Sequence, residues 1–375
     1  MAIFRPNLYA PSETAFTTLG LGKINNLSSC IVTEERNGGF ELTGTIHFGA
    51  VDDLASILFS GIAPGYIILA KHSPSEDPEP FRIYDIDMDI MGNATIKARH
   101  ISYDLSGYYI IGAHPASLFT CLRLLNGSSV RPSPCPFVFS SDITSDRPIG
   151  LDIDYPKSIR DIMGGTQGSM LDVYGGEWRY NKYNCNLLLS RAQHTYNVRF
   201  GRNMVSFRYE ENTESCINFV LPYYKRDDVI VYGDYISNNG TSPTITSPRL
   251  NTAWTQPKLK ILDVTNEFTD LETGTTPTRA QVTAKGQAFY DANKKDQVLY
   301  SAAVVAVDEP GIEGLDWNEL TLCDICNITH PMVGQLQAKI IKTTYNCLTD
   351  RYDSIEIGTP KLTLAKRLSA LEKGG

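Results

Sequence analysis

Three carboxylates, Asp85, Asp87 and Asp89, stand two residues apart in the segment FRIYDIDMDI. Carboxylates in a row can hold Ca²⁺, a hard cation that takes about six to eight oxygen ligands. Glu76 and Asp77 are close enough in sequence to join them. An EF-hand loop beginning at Asp85 would need glycine at its sixth place, and Ile90 stands there. Alternation also sets the three along one strand face, which spreads ligands in a line instead of wrapping them around an ion. They are the candidate metal ligands of this chain, and a solvated or channel-facing acidic face is the simpler account.

Other constellations fall short of chemistry. Cys323-Asp324-Ile325-Cys326 is a lone CxxC, with only His330 and Cys347 nearby to complete a zinc set. A redox pair would open a helix, whereas this one reads as strand, so structural thiols are expected. The Gly-rich residues 163–169 follow a helix and not a strand, which predicts a turn between helices instead of a phosphate cradle. The six histidines, His47, His72, His100, His114, His194 and His330, form no HExxH or HxH pattern. Glu210-Glu211 could serve a glycosidase, but with 42 acidic residues such pairs arise by chance. The sequence predicts no catalytic residue and no cofactor.

The elements that would position these residues are mainly strands. Residues 81–105 alternate in two blocks around Met91-Gly92-Asn93, the pattern of a β-hairpin with one buried face. Residues 40–48 and 65–71 read as further strands, 53–59 as a helical turn, and 72–80 (HSPSEDPEP) as a solvated loop. From about residue 104 the texture becomes α/β. Leu118, Cys121, Leu122 and Leu125 repeat at helical spacing before Asn126-Gly127. Residues 128–147 read mainly as loop, 159–163 and 170–174 as short helices, and 177–189 as one strand. Residues 196–236 return to β, and 238–257 read as a connection. Thr276-Pro277 starts a helix, 298–307 read as a buried strand, 320–362 as β, and the tail as a short amphipathic helix. Residues 66–71 with 82–90 are echoed in pattern by 322–328 with 335–344.

At 375 residues the chain holds several domains. A net charge of −8 without basic clusters argues against gripping nucleic acid through phosphates. The N-terminus lacks a secretory pattern, no apolar run is long enough to span a bilayer, and the eight scattered cysteines suit buried free thiols. Membrane insertion is not expected. Twenty tyrosines suit half-buried sheet surfaces and interfaces.

Three phrases carry a family resemblance: FRIYDI with IKARHISYDL, then GSMLDVYGGEWRYNKYNCNLLL with HTYNVRFGRNMVSFRYE, and LTLCDICNI with AKIIKTTYNCLTDRYDSIEIG. In this order they resemble the phage minor structural or prophage tail endopeptidase family, the N-terminal hub of tail-associated lysins, in the short form of a lactococcal-type siphophage baseplate. The resemblance covers nearly all of residues 1–360. It implies a mainly β fold with α/β parts: two β-barrel domains joined by two smaller α/β domains, like the hub of contractile tails. Mapped on this chain, the first barrel is 1–103, the connecting α/β domain 104–195, the second barrel 196–256 with 309–360, the small α/β domain 257–308, and the tail 361–375. It further implies a homotrimer that closes the distal end of the tail channel and opens for DNA passage. The expected partners are a sixfold distal tail ring protein and other baseplate proteins, with genomic DNA in transit and not specifically bound. The expected location is the virion tail, assembled in the host cytoplasm. A cell-wall peptidase or glycan hydrolase, and a carbohydrate-binding receptor module, are the alternatives. The chain stops where longer family members continue into a hydrolase, and it offers no residues in support of the endopeptidase label.

Overall fold

A computed structural model describes residues 4–47, 62–89, 93–144, 150–164, 168–200, 204–214, 216–247, 252–268, 275–293, 299–306, 320–331 and 334–358. Seven strands come first: β1 (Asn7–Tyr9), β2 (Gly22–Lys23), β3 (Leu27–Glu35), β4 (Phe40–His47), β5 (Ile67–Ala70), β6 (Glu79–Met88) and β7 (Asn93–His100). They pair antiparallel along the path β1-β5-β6-β7-β4-β3, with β2 outside β1. Period-two patterning explains the core they enclose. Cys30 and Val32 of β3 and Ile96 and Ala98 of β7 point inward against Phe40, Leu42, Phe81 and Ile83. All four residues of β5 are buried, because Ile68 and Ala70 face this core while Ile67 and Leu69 face a second one.

The β6–β7 hairpin contains a bulge that the sequence encodes. Ile83 and Ile86 are three apart, so a regular strand would send them to opposite faces. Tyr84 is the extra residue: Ile83 pairs with Ala98, Asp85 with Lys97 and Ile86 with Ile96. The apolar face stops short of the tip, where Met88 is 59% exposed. Of the expected turn at Met91-Gly92-Asn93 only Asn93 is described, as the first residue of β7, and the helical turn at 53–59 and the C-terminal helix lie outside the described residues.

The connecting segment holds β8 (Tyr109–Ile110), α1 (Leu118–Leu125), β9 (Val138–Ser141), β10 (Lys157–Ser158), α2 (Ile159–Met163), α3 (Met170–Tyr174), β11 (Glu177–Asn181) and β12 (Asn184–Leu188). Ser117 and Thr120 form a capping box that starts α1, and Leu118, Cys121 and Leu125 bury one helix stripe. Residues 177–189 form a hairpin, not one strand. Lys182 takes a left-handed φ of 53°, the chain reverses, and Leu189 is left exposed beyond buried Cys185 and Leu187. The stretch 128–147 is not all loop, since β9 pairs parallel to β12. Trp178, Cys185 and Leu187 meet the three helices in the second core.

The remaining elements are β13 (Thr195–Arg199), β14 (Met204–Asn212), β15 (Phe219–Arg226), β16 (Val229–Tyr232), β17 (Ile236–Ser237), β18 (Thr244–Ser247), β19 (Thr252–Thr255), β20 (Leu259–Asp263), α4 (Arg279–Asn293), β21 (Leu299–Ala306), β22 (Ile325–His330), β23 (Gly334–Asn346) and β24 (Arg351–Gly358). Six of them follow the path β13-β22-β23-β24-β21-β14. Without β2, the first set runs in chain order as first, fourth, fifth, sixth, third, second. The second set runs the same way. The pattern echo in the sequence falls on equivalent pairs, β5–β6 and β22–β23. β3 and β23 pair antiparallel from Ile31 opposite Asn346 to Glu35 opposite Lys342, which makes one sheet of the two sets.

The chain divides into two compact units, one of Met1–Phe207, Ala303–Ile328 and Gln337–Pro360, the other of Arg208–Ala302, Thr329–Leu336 and Lys361–Gly375. In the second, β15 is flanked by antiparallel β16 and β17 on one side and parallel β20 on the other. The helix α4 covers one face, with Val282 and Tyr290 against Val220, Tyr224, Ile236 and Leu262. Its first turn is capped by Thr278 and Gln281, two residues beyond the expected start. Residues 238–257 are not a bare connection, because β18 and β19 form a hairpin within them. Among the described residues no helix is long and apolar enough to cross a membrane.

Candidate functional site

Among the described residues a dense arrangement of charge lies inside the first unit. Glu34 continues the inward phase of Cys30 and Val32 and is 4% exposed. Its Oε1 accepts from Arg191 Nη1 at 2.8 Å, and its Oε2 lies 3.8 Å from His72 Nε2. His72 Nε2 is 3.0 Å from Glu76 Oε2, while Glu76 Oε1 accepts from Arg179 Nη2 at 2.9 Å. Both carboxylates thus turn one oxygen to an arginine and the other to the same imidazole. Arg191 also donates to the Trp178 carbonyl at 3.1 Å, and its backbone N–H donates to Glu177 Oε2 at 2.6 Å. Glu177 Oε1 meets Arg36 Nε at 2.9 Å and Lys339 Nζ at 2.7 Å. Nearby, Glu79 Oε2 accepts from the Lys182 N–H and faces His100 Nε2 at 3.1 Å. His100 Nδ1 accepts the Ser102 N–H, so its proton sits on Nε2, aimed at Glu79.

Burial and charge compete at each of these groups. For His72, burial disfavours the charged ring, but the hydrogen bond to Glu76 and the charges of Glu76, Glu34 and Glu79 outweigh it and raise its pKa. Burial likewise opposes the Glu76 carboxylate, and His72, Arg191 and Arg179 hold it low. Glu177 is lowered against burial by the Arg191 N–H, Lys339 and Arg36. A polar cleft of about 390 Å³ opens beside the cluster, lined by His72, Glu76, Glu79, Arg179, His194 and Thr321 among others.

The sequence shows few signs of this site. Its members are scattered from residue 34 to 339. The segment 72–80 is not a wholly solvated loop, since His72, Ser73, Glu79 and Pro80 are buried. One local sign exists: Glu34 occupies an apolar phase of a strand.

The sequence candidates lie elsewhere. Asp85 pairs with Lys97 at 2.8 Å, Asp87 is exposed, and Asp89 accepts from the Asn93 backbone and side chain near the hairpin tip. Among the described residues the group whose donor atoms do converge, all within 4.8 Å, is Glu34, His72 and Glu76. The CxxC is not wholly in a strand: Cys323 sits in a turn with φ 76°, and Cys326 lies in β22. Between them, buried Asp324 accepts from Thr321 and from the backbone N–H groups of Gln193 and His194. All eight cysteines are free, and burial pushes Cys323 and Cys326 up to about 12. In the 163–169 turn, where 165–167 are not described, the Gly168 N–H donates to Asp172 in the first turn of α3. Glu210 and Glu211 are neighbours in a strand and so face opposite ways, and Glu211 accepts from Tyr209 and Ser247.

No protein-family model matches the chain, and no curated protein does. Solved structures match over most of its length. The prophage tail protein gp18 from Listeria monocytogenes EGD-e aligns with a TM-score of 0.57 at 11% identity, covering 99% of each chain. The 43 kDa tail protein of prophage MuSo2 from Shewanella oneidensis aligns at 0.59 and 10% identity, covering 94% of this chain and 98% of that one. A tail protein from Neisseria meningitidis MC58 aligns at 0.56 and 8% identity, covering 95% and 96%. The chain shares its fold with prophage tail proteins. At such identities the likeness is one of fold, carried by strand order and packing instead of by shared residues.

Proposed function

We propose that this chain is a structural hub of a phage tail tip, of the short lactococcal siphophage type. The observation that carries the reading is the doubled strand path within a fold shared end to end with prophage tail proteins. On this reading the two six-strand sets of one order are the two similar barrels expected in each chain. Three chains then offer six near-equivalent sets, which lets a threefold hub sit on a sixfold distal tail ring without symmetry mismatch. The trimer would close the channel, bind other baseplate proteins and open for DNA during infection, in a virion tail put together in the host cytoplasm. Three chains at −8 each carry −24, and acidic strand faces such as that of Asp87 would keep DNA from adhering if they line the channel.

Light scattering of the purified chain tests this directly. A trimer that also binds a hexameric tail ring is expected, and a monomer at all concentrations would count against it. The hydrolytic alternative predicts clearing of host cell walls in a zymogram, lost on mutation of a single carboxylate. The receptor-module alternative predicts glycan binding by the isolated chain.

A further inference from the structure

We propose that Glu34 Oε2, His72 Nε2 and Glu76 Oε2 form a binding site for a transition-metal dication, Zn²⁺ first, completed by water from the adjoining cleft. The site is independent of the tail-hub reading. Four observations support it. The three donor atoms converge from two elements, with separations of 3.0 and 3.8 Å from the shared imidazole nitrogen. Donors about 2.0–2.1 Å from a tetrahedral ion lie roughly 3.4 Å apart, so little movement is needed. Both carboxylates are oriented from behind, Glu34 by Arg191 and Glu76 by Arg179, as outer-shell partners orient ligands. The His72 side chain is 6% exposed, and Nε2 is the ring nitrogen that faces both carboxylates.

The fourth observation is charge. Glu34, Glu76, Asp77, Glu79, Glu177 and Asp324 are six carboxylates around the cluster and its cleft, and Arg36, Arg179, Arg191 and Lys339 are four cations. With a neutral imidazole the cluster is two positive charges short. A dication at Nε2 supplies both, and the cleft beside His72 and Glu76 gives access for the ion and its water. One imidazole and two carboxylates suit Zn²⁺ or Mn²⁺, whereas Ca²⁺ would need more oxygens than the site presents.

The test is a calorimetric titration of chelator-treated protein with Zn²⁺, with Co²⁺ visible absorption as a probe of coordination. One ion per chain is expected, abolished in His72→Ala and weakened more than about 10-fold in Glu76→Gln. The variant His114→Ala removes an exposed histidine beside Asp152 and Asp154, and it should bind as the parent does. If His72→Ala does not fold, the nearly isosteric Glu76→Gln decides. No stoichiometric binding by the parent, unchanged affinity in Glu76→Gln, or loss in His114→Ala would each overturn the proposal.

Discussion

Glu177 is 1% exposed, accepts from the Arg191 N–H and Lys339 Nζ, and pairs with the Arg36 guanidinium, so its charge matters to the fold of the first unit. Its folded pKa is lowered, so its contribution is complete above the unfolded value of about 4.3 and is lost as pH falls through the folded one. Urea unfolding followed from pH 7 down to pH 3 should show stability falling below about pH 5. Glu177→Gln should flatten that decline and lower stability at pH 7 by about 3 kcal/mol, because Lys339 and Arg36 lose their buried partner. Thiols give a second check. Seven of eight cysteines are buried and Cys135 is half-buried, so at most one should react with a thiol reagent in the native protein, and all eight after denaturation. Burial of the cysteines is legible from their apolar neighbours. The charged cluster is not, since its members interact across sequence separations of up to 162 residues, in Lys339 with Glu177.

Among the elements, α4 shows how one residue type reports packing. Glycine inside a helix costs about 1 kcal/mol relative to alanine, yet Gly286 sits in the middle of α4. A methyl group there would come within 2.7 Å of Pro222 Cβ and 2.9 Å of Ile236 Cδ1, so the helix lies on the sheet only because nothing projects. Gly286→Ala should therefore destabilise the second unit by about 1–3 kcal/mol despite its better helix propensity, read as a lower melting temperature. Arg191 plays the opposite part, as an anchor between β3 and β11 through Glu34 and the Trp178 carbonyl. Arg191→Met should cost about 3–5 kcal/mol by leaving the Glu34 charge buried without its guanidinium, measurable by denaturant titration. Most strands and the short helices are legible from periodicity. The two hairpins missed, β11–β12 and β18–β19, lack an Asn-Gly or Asp-Gly turn, and the first reverses at Lys182, whose left-handed backbone no local rule foretells.

At the scale of the whole molecule the doubled path is the feature to explain. Six strands in the order first, fourth, fifth, sixth, third, second occur once from Asn7 and again from Thr195, with little agreement of letters. Such an order depends on which edges are left to pair once neighbouring hairpins have formed, and different apolar residues can satisfy the same alternation. That is also why the fold persists at 8–11% identity to the tail proteins. A circular-dichroism spectrum dominated by β structure is expected for the isolated chain. Unfolding in two transitions, one for each compact unit, is expected by calorimetry. A single two-state transition would mean that the units unfold as one.

Period-two alternation, helical spacing and turn residues determine, from the sequence alone, that residues 40–47 and 67–70 are strands, that 81–100 form a hairpin, and that Leu118, Cys121 and Leu125 share a helix ended by Asn126-Gly127. These are local choices, made over a few residues by sterics and by which side chains avoid water. Tertiary structure alone decides the partners: that β3 pairs with β23, that Asp85, Asp87 and Asp89 stay apart, and that Glu34, His72 and Glu76 meet. Pairing at long range follows from burying charge only where an opposite charge arrives, and no local pattern records that arrival.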